Sequence, residues 1–224
     1  MSPAKIERLR ALAAVRVYLV LTRALCRRPP EEVLAAALRG GVGAVQVREK
    51  DGGARERLAW CRRVRAATRA AGALLIVNDR PDLAALCDAD GVHVGQDDLT
   101  PADARRLVGP DALIGLSTHD LRQLAEAGDD VDVDYVGFGP CFDTATKGLR
   151  GLGLERVAAA VRAARRPITA IGGIDAANAS ALAAVGATAV AVSSAVCSAE
   201  DPRAAAAALR AALAREGGAP DVTG

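Results

Sequence analysis

Aromatic residues and lysine are both scarce in this chain of 224 residues. Only 2% of the residues are Phe, Trp or Tyr, while 51% are hydrophobic, so the core must be built from alanine and small aliphatic side chains. Three of the 29 basic residues are lysines, namely Lys5, Lys50 and Lys147, and the remaining 26 are arginines. Because arginine supplies most of the positive charge, a retained lysine indicates a position that needs a compact ammonium group.

Paired cysteines, long apolar runs and excess charge are also missing. The five cysteines are an odd number, are widely scattered and form no CxxC pair or His/Cys cluster, which argues against a disulfide framework or a zinc site. No stretch reaches the ~18 apolar residues of a membrane helix, and we find no signal-peptide pattern. The net charge of +2 gives no reason to expect nucleic acid or a membrane surface as a partner. We expect a cytoplasmic protein that binds small molecules. A homo-oligomer is possible but cannot be read from the sequence.

Short apolar runs rich in β-branched residues alternate with alanine-rich segments of helical period. The runs predict eight strands, at residues 16–22, 44–49, 73–79, 91–95, 112–118, 134–140, 168–173 and 189–194. The other segments predict eight helices, at residues 30–40, 54–71, 81–88, 101–108, 120–128, 153–165, 176–185 and 202–215.

Eight strand–helix units predict a single-domain (β/α)8 TIM barrel, of the α/β class, over residues 1–224. We expect its core at about 16–215 and a loose C-terminal tail at 216–224. The alternative is an open doubly wound sheet, which would carry a Gly-rich nucleotide loop after the first strand. The segment "LTRALCRRPP" that follows this strand has no such loop.

Polar side chains alternate with valines in the second predicted strand. Gln46, Arg48 and Lys50 share one face because successive side chains of a strand point to opposite faces. In a barrel they would point inward and lead to the carboxyl ends of the strands, where barrel active sites lie. The alternative is an exposed edge strand that ends in a solvated run of charges, but a strand within the sheet favours a binding site.

Acidic residues follow the third and fourth strands. Asp79 stands in "VNDR" and Asp98 in "GQDD", and each alone is also compatible with a loop or a helix start. Together, two neighbouring carboxylates with few other ligands suit Mg²⁺, which retains waters and binds substrate phosphates. Arg48 and Lys50 on the neighbouring strand suit the remaining phosphate charge.

Glycines and hydroxyl residues follow the seventh and eighth strands, where barrels often bind phosphate. Gly173 ends "ITAIGG" and would allow close approach of the backbone, while Ser193 and Ser194 supply donors. The loop "TATK" after strand six, with Thr144 and Lys147, has the character of an anion-binding loop. A plain turn and a flexible connector are the alternatives.

Two histidines have less clear assignments. His93 lies within a strand and is expected to be packed and hydrogen-bonded, whereas His119 is either a helix-start residue or a general base. The residues alone therefore predict a barrel enzyme with a Mg²⁺–diphosphate region on strands two to four. They also predict a monophosphate region on strands seven and eight.

Seven motifs occur in one order and spacing that resembles the thiamine-phosphate synthase family. They are "VQVREK", "VNDR", "GVHVGQDDL", "GLSTH", "GFGPCFDTATKG", "ITAIGGID" and "AVSSAV", and the resemblance spans about Val17 to Ala214. It implies a transferase of thiamine biosynthesis that joins a pyrimidine diphosphate to a thiazole phosphate, with Mg²⁺ as cofactor. It further implies a dissociative reaction in which diphosphate departs before the thiazole nitrogen attacks.

The resemblance also implies residue roles. The pyrimidine diphosphate would contact Gln46, Val47, Arg48, Glu49, Lys50, Asn78, Ser117 and Lys147. The thiazole phosphate would contact Thr144, Ala145, Thr146, Gly173, Ser193 and Ser194. Catalytic roles fall to Arg48, Lys50 and Lys147, and metal binding to Asp79 and Asp98.

Cys141 and Asp143 depart from the family pattern, and an added carboxylate next to phosphate-binding threonines is unexpected. Two other functions remain open on the same barrel. A thiazole tautomerase would use a histidine such as His119 and no metal, and a non-catalytic regulator would bind thiazole phosphate without turnover.

Overall fold

Eight parallel strands form a closed barrel in the computed structural model, which describes residues 1–143 and 150–214. The strands are β1 (Val17–Leu21), β2 (Ala44–Val47), β3 (Leu74–Asn78), β4 (Gly91–Val94), β5 (Leu113–Thr118), β6 (Tyr135–Phe138), β7 (Ile168–Ile171) and β8 (Val190–Val192). Each strand pairs with the next one in sequence, and β8 pairs with β1 through Leu19 and Val192. The predicted (β/α)8 barrel is confirmed, and the open-sheet alternative is wrong because β1 and β8 are hydrogen-bonded to each other.

Helices follow the strands on the outside of the barrel. They are α1 (Pro3–Ala14), α2 (Pro30–Arg39), α3 (Ala54–Ala71), α4 (Pro81–Leu86), α5 (Pro101–Val108), α6 (Leu121–Asp129), α7 (Leu154–Ala163), α8 (Ala179–Ala184), α9 (Ser194–Cys197) and α10 (Pro202–Ala214). A short 3₁₀ helix spans Arg23–Leu25. Eight of the α-helices match predicted segments, whereas α1 and α9 were not predicted. The predicted strand at 189–194 extends too far at its carboxyl end, because Ser194 is the first residue of α9.

The alternation of side chains divides the core into two layers. Leu19, Val45 and Leu75 face the surrounding helices, where Trp60 of α3 is also buried. Gln46 is buried on the opposite face of β2, inside the barrel.

Helix α1 packs against the amino ends of the strands. Ser2 caps it by accepting a hydrogen bond from the backbone N–H of Lys5, and Pro3 occupies its first turn. The buried ammonium group of Lys5 donates to the carbonyl of Ala112 at 2.7 Å and pairs with Asp134. Leu12 joins the cluster of side chains inside the barrel. This helix therefore covers the end of the barrel opposite the predicted site, and it lies outside the predicted core of residues 16–215.

The predicted C-terminal tail at 216–224 lies outside the described residues. Within the part of the chain that the structure describes, no helix combines the length and apolar character needed to cross a bilayer.

Candidate active site

A pocket of about 470 Å³ opens at the carboxyl ends of the strands, and all eight strands or the loops that follow them contribute to its lining. This is the end of a parallel barrel where the loops after the strands converge. Seven of the residues singled out from the sequence line it: Gln46, Arg48, Asn78, Ser117, Gly173, Ser193 and Ser194. The structure therefore brings residues of both predicted phosphate regions to one cavity, whereas the predicted site residues Lys50, Asp79 and Asp98 are not among those that line it.

The end of β2 directs its side chains in two directions. Arg48 lines the pocket, and Lys50 follows on an exposed loop. Val47 is buried among the side chains between strands and helices. Glu49 accepts a hydrogen bond from the backbone N–H of Arg23 at 3.0 Å and pairs with the Arg23 guanidinium at 3.1 Å. Neither Val47 nor Glu49, both predicted to contact the pyrimidine diphosphate, is thus among the residues that line the cavity.

The predicted acidic pair is formed by a strained turn and a loop. Asp79 follows β3 with φ of 59°, a conformation rare outside glycine, and its N–H donates to the carbonyl of His93 at 2.8 Å. Asp98 accepts a hydrogen bond from the N–H of Gly95 at 2.8 Å. Asp98 also raises the pKa of Asp79 through hydrogen bonding and charge, so the two carboxyl groups lie close together. The turn and the loop thus place two acidic groups from neighbouring strand ends close enough to affect each other's ionisation.

Electrostatic interactions connect this pair to Arg48 and Lys50, the two cations that follow β2. Burial, followed by the hydrogen bond and charge of Asp98, raises the pKa of Asp79 to about 6, while Lys50 and Arg48 act in the opposite direction. All four groups are therefore near one another. Two carboxylates that resist simultaneous ionisation suit a divalent cation. Within residues 1–143 and 150–214, no cluster of three or more His, Cys, Asp or Glu side chains completes a protein-only metal site. Such a donor set fits Mg²⁺, which retains water and takes oxygens from a phosphorylated ligand.

The other side of the pocket is built from two backbone turns. Gly172 and Gly173 have φ values of 99° and 65°, and a Cβ atom at Gly173 would collide with the backbone of Phe142 and Asp143. Glycine is required there by both the conformation and the space. The side chain of Asn178 donates to the Gly173 carbonyl at 2.8 Å and fixes this turn.

Ser193 and Ser194 stand beside the glycine turn, where β8 passes into α9. The Ser193 hydroxyl donates to the carbonyl of Val20 at 2.8 Å, and Ser194 is exposed at the pocket. The remaining predicted contacts of this region, Thr144, Ala145, Thr146 and Lys147, lie outside the described residues.

Asp143, the unexpected carboxylate, lines the pocket and accepts a hydrogen bond from the N–H of Gly151 at 2.7 Å. The bond joins the two sides of segment 144–149, so this carboxylate has a structural partner. His119 also lines the pocket, and its Nδ1 lies 2.7 Å from the carbonyl of Gly139, which requires a proton on that nitrogen.

Tyr18, His93 and Tyr135 are among the pocket residues to which the sequence reasoning gave no ligand role. They are hydrogen-bonded beneath Gln46 and Ser117. The expectation that His93 is packed and hydrogen-bonded is confirmed. The available signal was the position of three polar side chains within apolar strands, together with the fact that the chain has only two tyrosines.

The barrel and the composition of its mouth are typical of enzymes that act on small phosphorylated molecules. Comparison with known proteins narrows this class. A family model described as thiamine monophosphate synthase matches residues 17–196. A thiamine-phosphate synthase of Haloarcula marismortui is 44% identical over 206 residues, which cover 88% of this chain and 96% of the relative. The chain belongs to the thiamine monophosphate synthase family.

Two further relatives agree with this assignment. A thiamine-phosphate synthase of Parasynechococcus marenigrum is 49% identical over 180 residues, covering 80% of this chain and 51% of the relative, so the chain spans about half the length of that protein. A solved thiamine phosphate pyrophosphorylase from Pyrococcus furiosus superposes with a TM-score of 0.85 at 36% identity, covering 94% of this chain and all of that one. The family predicted from the sequence motifs is confirmed, and with it the class of enzyme, a transferase of thiamine biosynthesis.

Proposed function

We propose that this chain transfers the 4-amino-2-methylpyrimidine-5-methyl group from its diphosphate to a thiazole phosphate, releasing diphosphate and forming thiamine phosphate. The observation that carries the proposal is the division of one pocket into two anion-binding sides. Arg48 and Asn78 line one side, where the Asp79–Asp98 pair lies within electrostatic reach of Arg48, and the turns at Gly173 and Ser193 line the other. The names of the relatives support the choice of the two substrates.

The first side suits the pyrimidine diphosphate. Arg48 supplies a charged donor inside the pocket, and Lys50 supplies a second cation near the acidic pair. Gln46 and Ser117 line the deeper part of the pocket, where the pyrimidine ring would lie. Lys147, predicted from the sequence to bind the same diphosphate, is part of this proposal as well.

Asp79 and Asp98 would hold Mg²⁺. Bound there, the ion would neutralise charge on the diphosphate and make it a better leaving group. Arg48 and Lys50 would bind the remaining negative charge as it develops on the departing group. Their contribution to the rate is electrostatic, because these cations are already positioned before the reaction.

The second side suits the thiazole phosphate. Gly173 lets backbone N–H groups approach a phosphate closely, and Ser193 and Ser194 add donors. The predicted contacts at Thr144, Ala145 and Thr146 belong to the same proposed subsite. A phosphate held on this side would position the thiazole nitrogen towards the pyrimidine methylene carbon.

The reaction that follows is a dissociative substitution. The C–O bond to the diphosphate breaks and its electron pair leaves with the diphosphate, so that the methylene carbon becomes a cation supported by the ring amino group. The lone pair of the thiazole nitrogen then forms the new C–N bond. No proton needs to be removed in either step, so the site requires no general base.

We also propose a cytoplasmic location and small molecules as the sole substrates. None of the five cysteines forms a disulfide, which suits a reducing compartment. The modest net charge of +2 gives no support for a nucleic-acid partner or a membrane surface. Self-association is compatible with this function, and neither the sequence nor the fold specifies it.

The test is incubation of the purified protein with both substrates, with and without MgCl₂, while diphosphate and thiamine phosphate are measured. We expect both products to appear in a metal-dependent manner. Isomerisation of a thiazole phosphate without metal would instead identify a tautomerase, and binding without turnover would identify a regulator.

Two variants and one control complete the experiment. Asp79→Asn is chosen because Asn tolerates a positive φ, and it should reduce turnover by orders of magnitude, as should Lys147→Ala. Asp129→Ala is the control, since Asp129 is an exposed residue of α6 that pairs with Arg165. Turnover at the level of the unmodified protein in Asp79→Asn would remove this carboxylate from the proposal.

A further inference from the structure

A continuous chain of hydrogen bonds crosses the floor of the pocket from β2 to β5. The amide nitrogen of Gln46 lies 3.0 Å from the Tyr18 hydroxyl, which lies 3.0 Å from the Tyr135 hydroxyl. The Tyr135 hydroxyl lies 3.2 Å from Nδ1 of His93, whose Nε2 lies 3.0 Å from the Ser117 hydroxyl. The two end members belong to the proposed pyrimidine site, and the three middle members have no role in it so far.

The first member of the chain favours one direction for the protons. An amide nitrogen can only donate, so the Tyr18 oxygen accepts from Gln46, and among the described residues Tyr135 is the partner left for the proton of Tyr18. Tyr135 in turn directs its proton to Nδ1 of His93. The neutral imidazole then carries its proton on Nε2 and donates to the oxygen of Ser117.

The two ends of the chain are left with opposite capacities towards the pocket. Ser117 accepts from His93, so its own hydroxyl proton is available to a ligand. Gln46 uses its nitrogen within the chain, and among the described residues its side-chain oxygen accepts no hydrogen bond. The floor therefore presents an acceptor above β2 and a donor above β5.

The surroundings preserve this arrangement. Burial is the main cause that raises the pKa of Tyr18 and of Tyr135 above the usual value, so both hydroxyls keep their protons at neutral pH. A Cβ atom at Gly115 would collide with the His93 ring and the Tyr135 ring. The absence of a side chain at this position of β5 makes room for the two rings to meet.

We propose that Tyr135 is a positioning residue, which acts through His93 and Tyr18 to hold Ser117 as a donor and Gln46 as an acceptor and thereby selects the amino form of the pyrimidine ring. This inference rests on the proposed function. A 4-aminopyrimidine offers an N–H donor beside an unprotonated ring nitrogen, which complements such a floor. A 4-oxopyrimidine offers the reverse pair, a carbonyl beside a ring N–H, and would leave polar groups unpaired.

The tautomer of His93 gives a direct test in the unaltered protein. The chain contains only two histidines, so ¹⁵N spectra of the imidazole groups contain two sets of signals, and His119→Gln identifies those of His93. We expect neutral His93 with the proton on Nε2. Observation of the proton on Nδ1 would overturn the inference, because the direction of the chain would then be reversed.

The second test measures ring selectivity by calorimetry, with the 4-amino and 4-oxo forms of the pyrimidine methyl monophosphate as probes in the presence of MgCl₂. We expect the unmodified protein to bind the amino form at least about tenfold more tightly. Tyr135→Phe interrupts the chain at its centre, and the preference should fall by about fivefold or more. If Tyr135→Phe does not fold, Tyr18→Phe provides the same test. It interrupts the chain at the next position and should lower the preference for the amino form in the same way.

A matched control removes a buried hydroxyl elsewhere. The hydroxyl of Thr68 is buried in α3 and donates within its own helix, so Thr68→Val should keep the original preference. A preference unchanged in Tyr135→Phe, or absent from the unmodified protein, would contradict the inference. Failure of the unmodified protein to form thiamine phosphate while it still prefers the amino probe would refute the proposed function alone.

Discussion

If Asp79 and Asp98 hold Mg²⁺ as proposed, the proximity of the two carboxyl groups predicts that binding of the ion depends on pH in a range where carboxylates usually do not titrate. The pKa of Asp79 is raised from 3.8 to about 6, first by burial and then by Asp98. Protons and Mg²⁺ therefore compete for this pair near pH 6. A raised pKa also means that the metal-free protein resists ionisation of Asp79. The contribution of this group to stability is complete below pH 3.8 and is lost as the pH rises through about 6.

The magnitude follows from the fraction of Asp79 that is ionised. With a pKa of about 6, this fraction is roughly 90% at pH 7 and roughly 10% at pH 5. If the ion binds only to the ionised carboxylate, its affinity should fall about tenfold between these two values, whereas a carboxylate with the ordinary pKa would lose almost nothing.

The assay is calorimetric titration of the substrate-free protein with MgCl₂ at pH 5, 6 and 7, at constant ionic strength. Diphosphate is left out because it titrates in the same range. Circular dichroism at each pH establishes that the protein remains folded. An affinity that is equal at pH 5 and pH 7 in folded protein would refute the idea that this carboxyl pair holds the ion.

Three substitutions test other parts of the structure. Lys5→Ala removes a buried ammonium group with two hydrogen bonds, and we expect the free energy of unfolding to fall by about 2 kcal/mol. The Tm should then fall by about 4–8 °C, and an unchanged Tm would contradict this expectation. Gly173→Ala places a side chain in a left-handed turn against backbone atoms and should raise KM for the thiazole phosphate more than KM for the pyrimidine diphosphate; equal changes would argue against a phosphate site there. Gly115→Ala should displace the His93 ring and raise KM for the pyrimidine diphosphate instead, and a selective effect on the thiazole phosphate would disprove that expectation.

The barrel could be predicted because its pattern is local. Eight apolar runs, each followed by a segment of helical period, already define eight parallel units, and the alternation in "VQVREK" distinguishes the inner face of β2 from the outer one. The proximity of Asp79 and Asp98 was predictable for a similar reason. Parallel neighbouring strands place their carboxyl ends side by side, so two acidic residues at those positions must meet.

The features that were missed depend on contacts between distant segments. The ion pair between Glu49 and Arg23 orients Glu49 away from the pocket, and nothing local to β2 indicates it. The bond between Tyr18 and Tyr135 joins residues 117 positions apart on opposite sides of the barrel. Helix α1 did have a local signal, the Ser2–Pro3 start, but its role depends on Lys5 reaching Asp134. Sequence periodicity identifies faces, whereas the partners across a closed barrel become apparent only after the strands are in register.

Helix α1 has a consequence for the order in which ligands move. With one end of the barrel covered by this helix, the described residues leave the mouth as the route for arrival and departure. In the proposed arrangement, a ring on the buried Gln46 would lie deeper in the pocket than a phosphate at the partly exposed Gly173. With that arrangement the deeper ligand should bind first, and we expect steady-state product-inhibition patterns to show a compulsory order of binding rather than a random one.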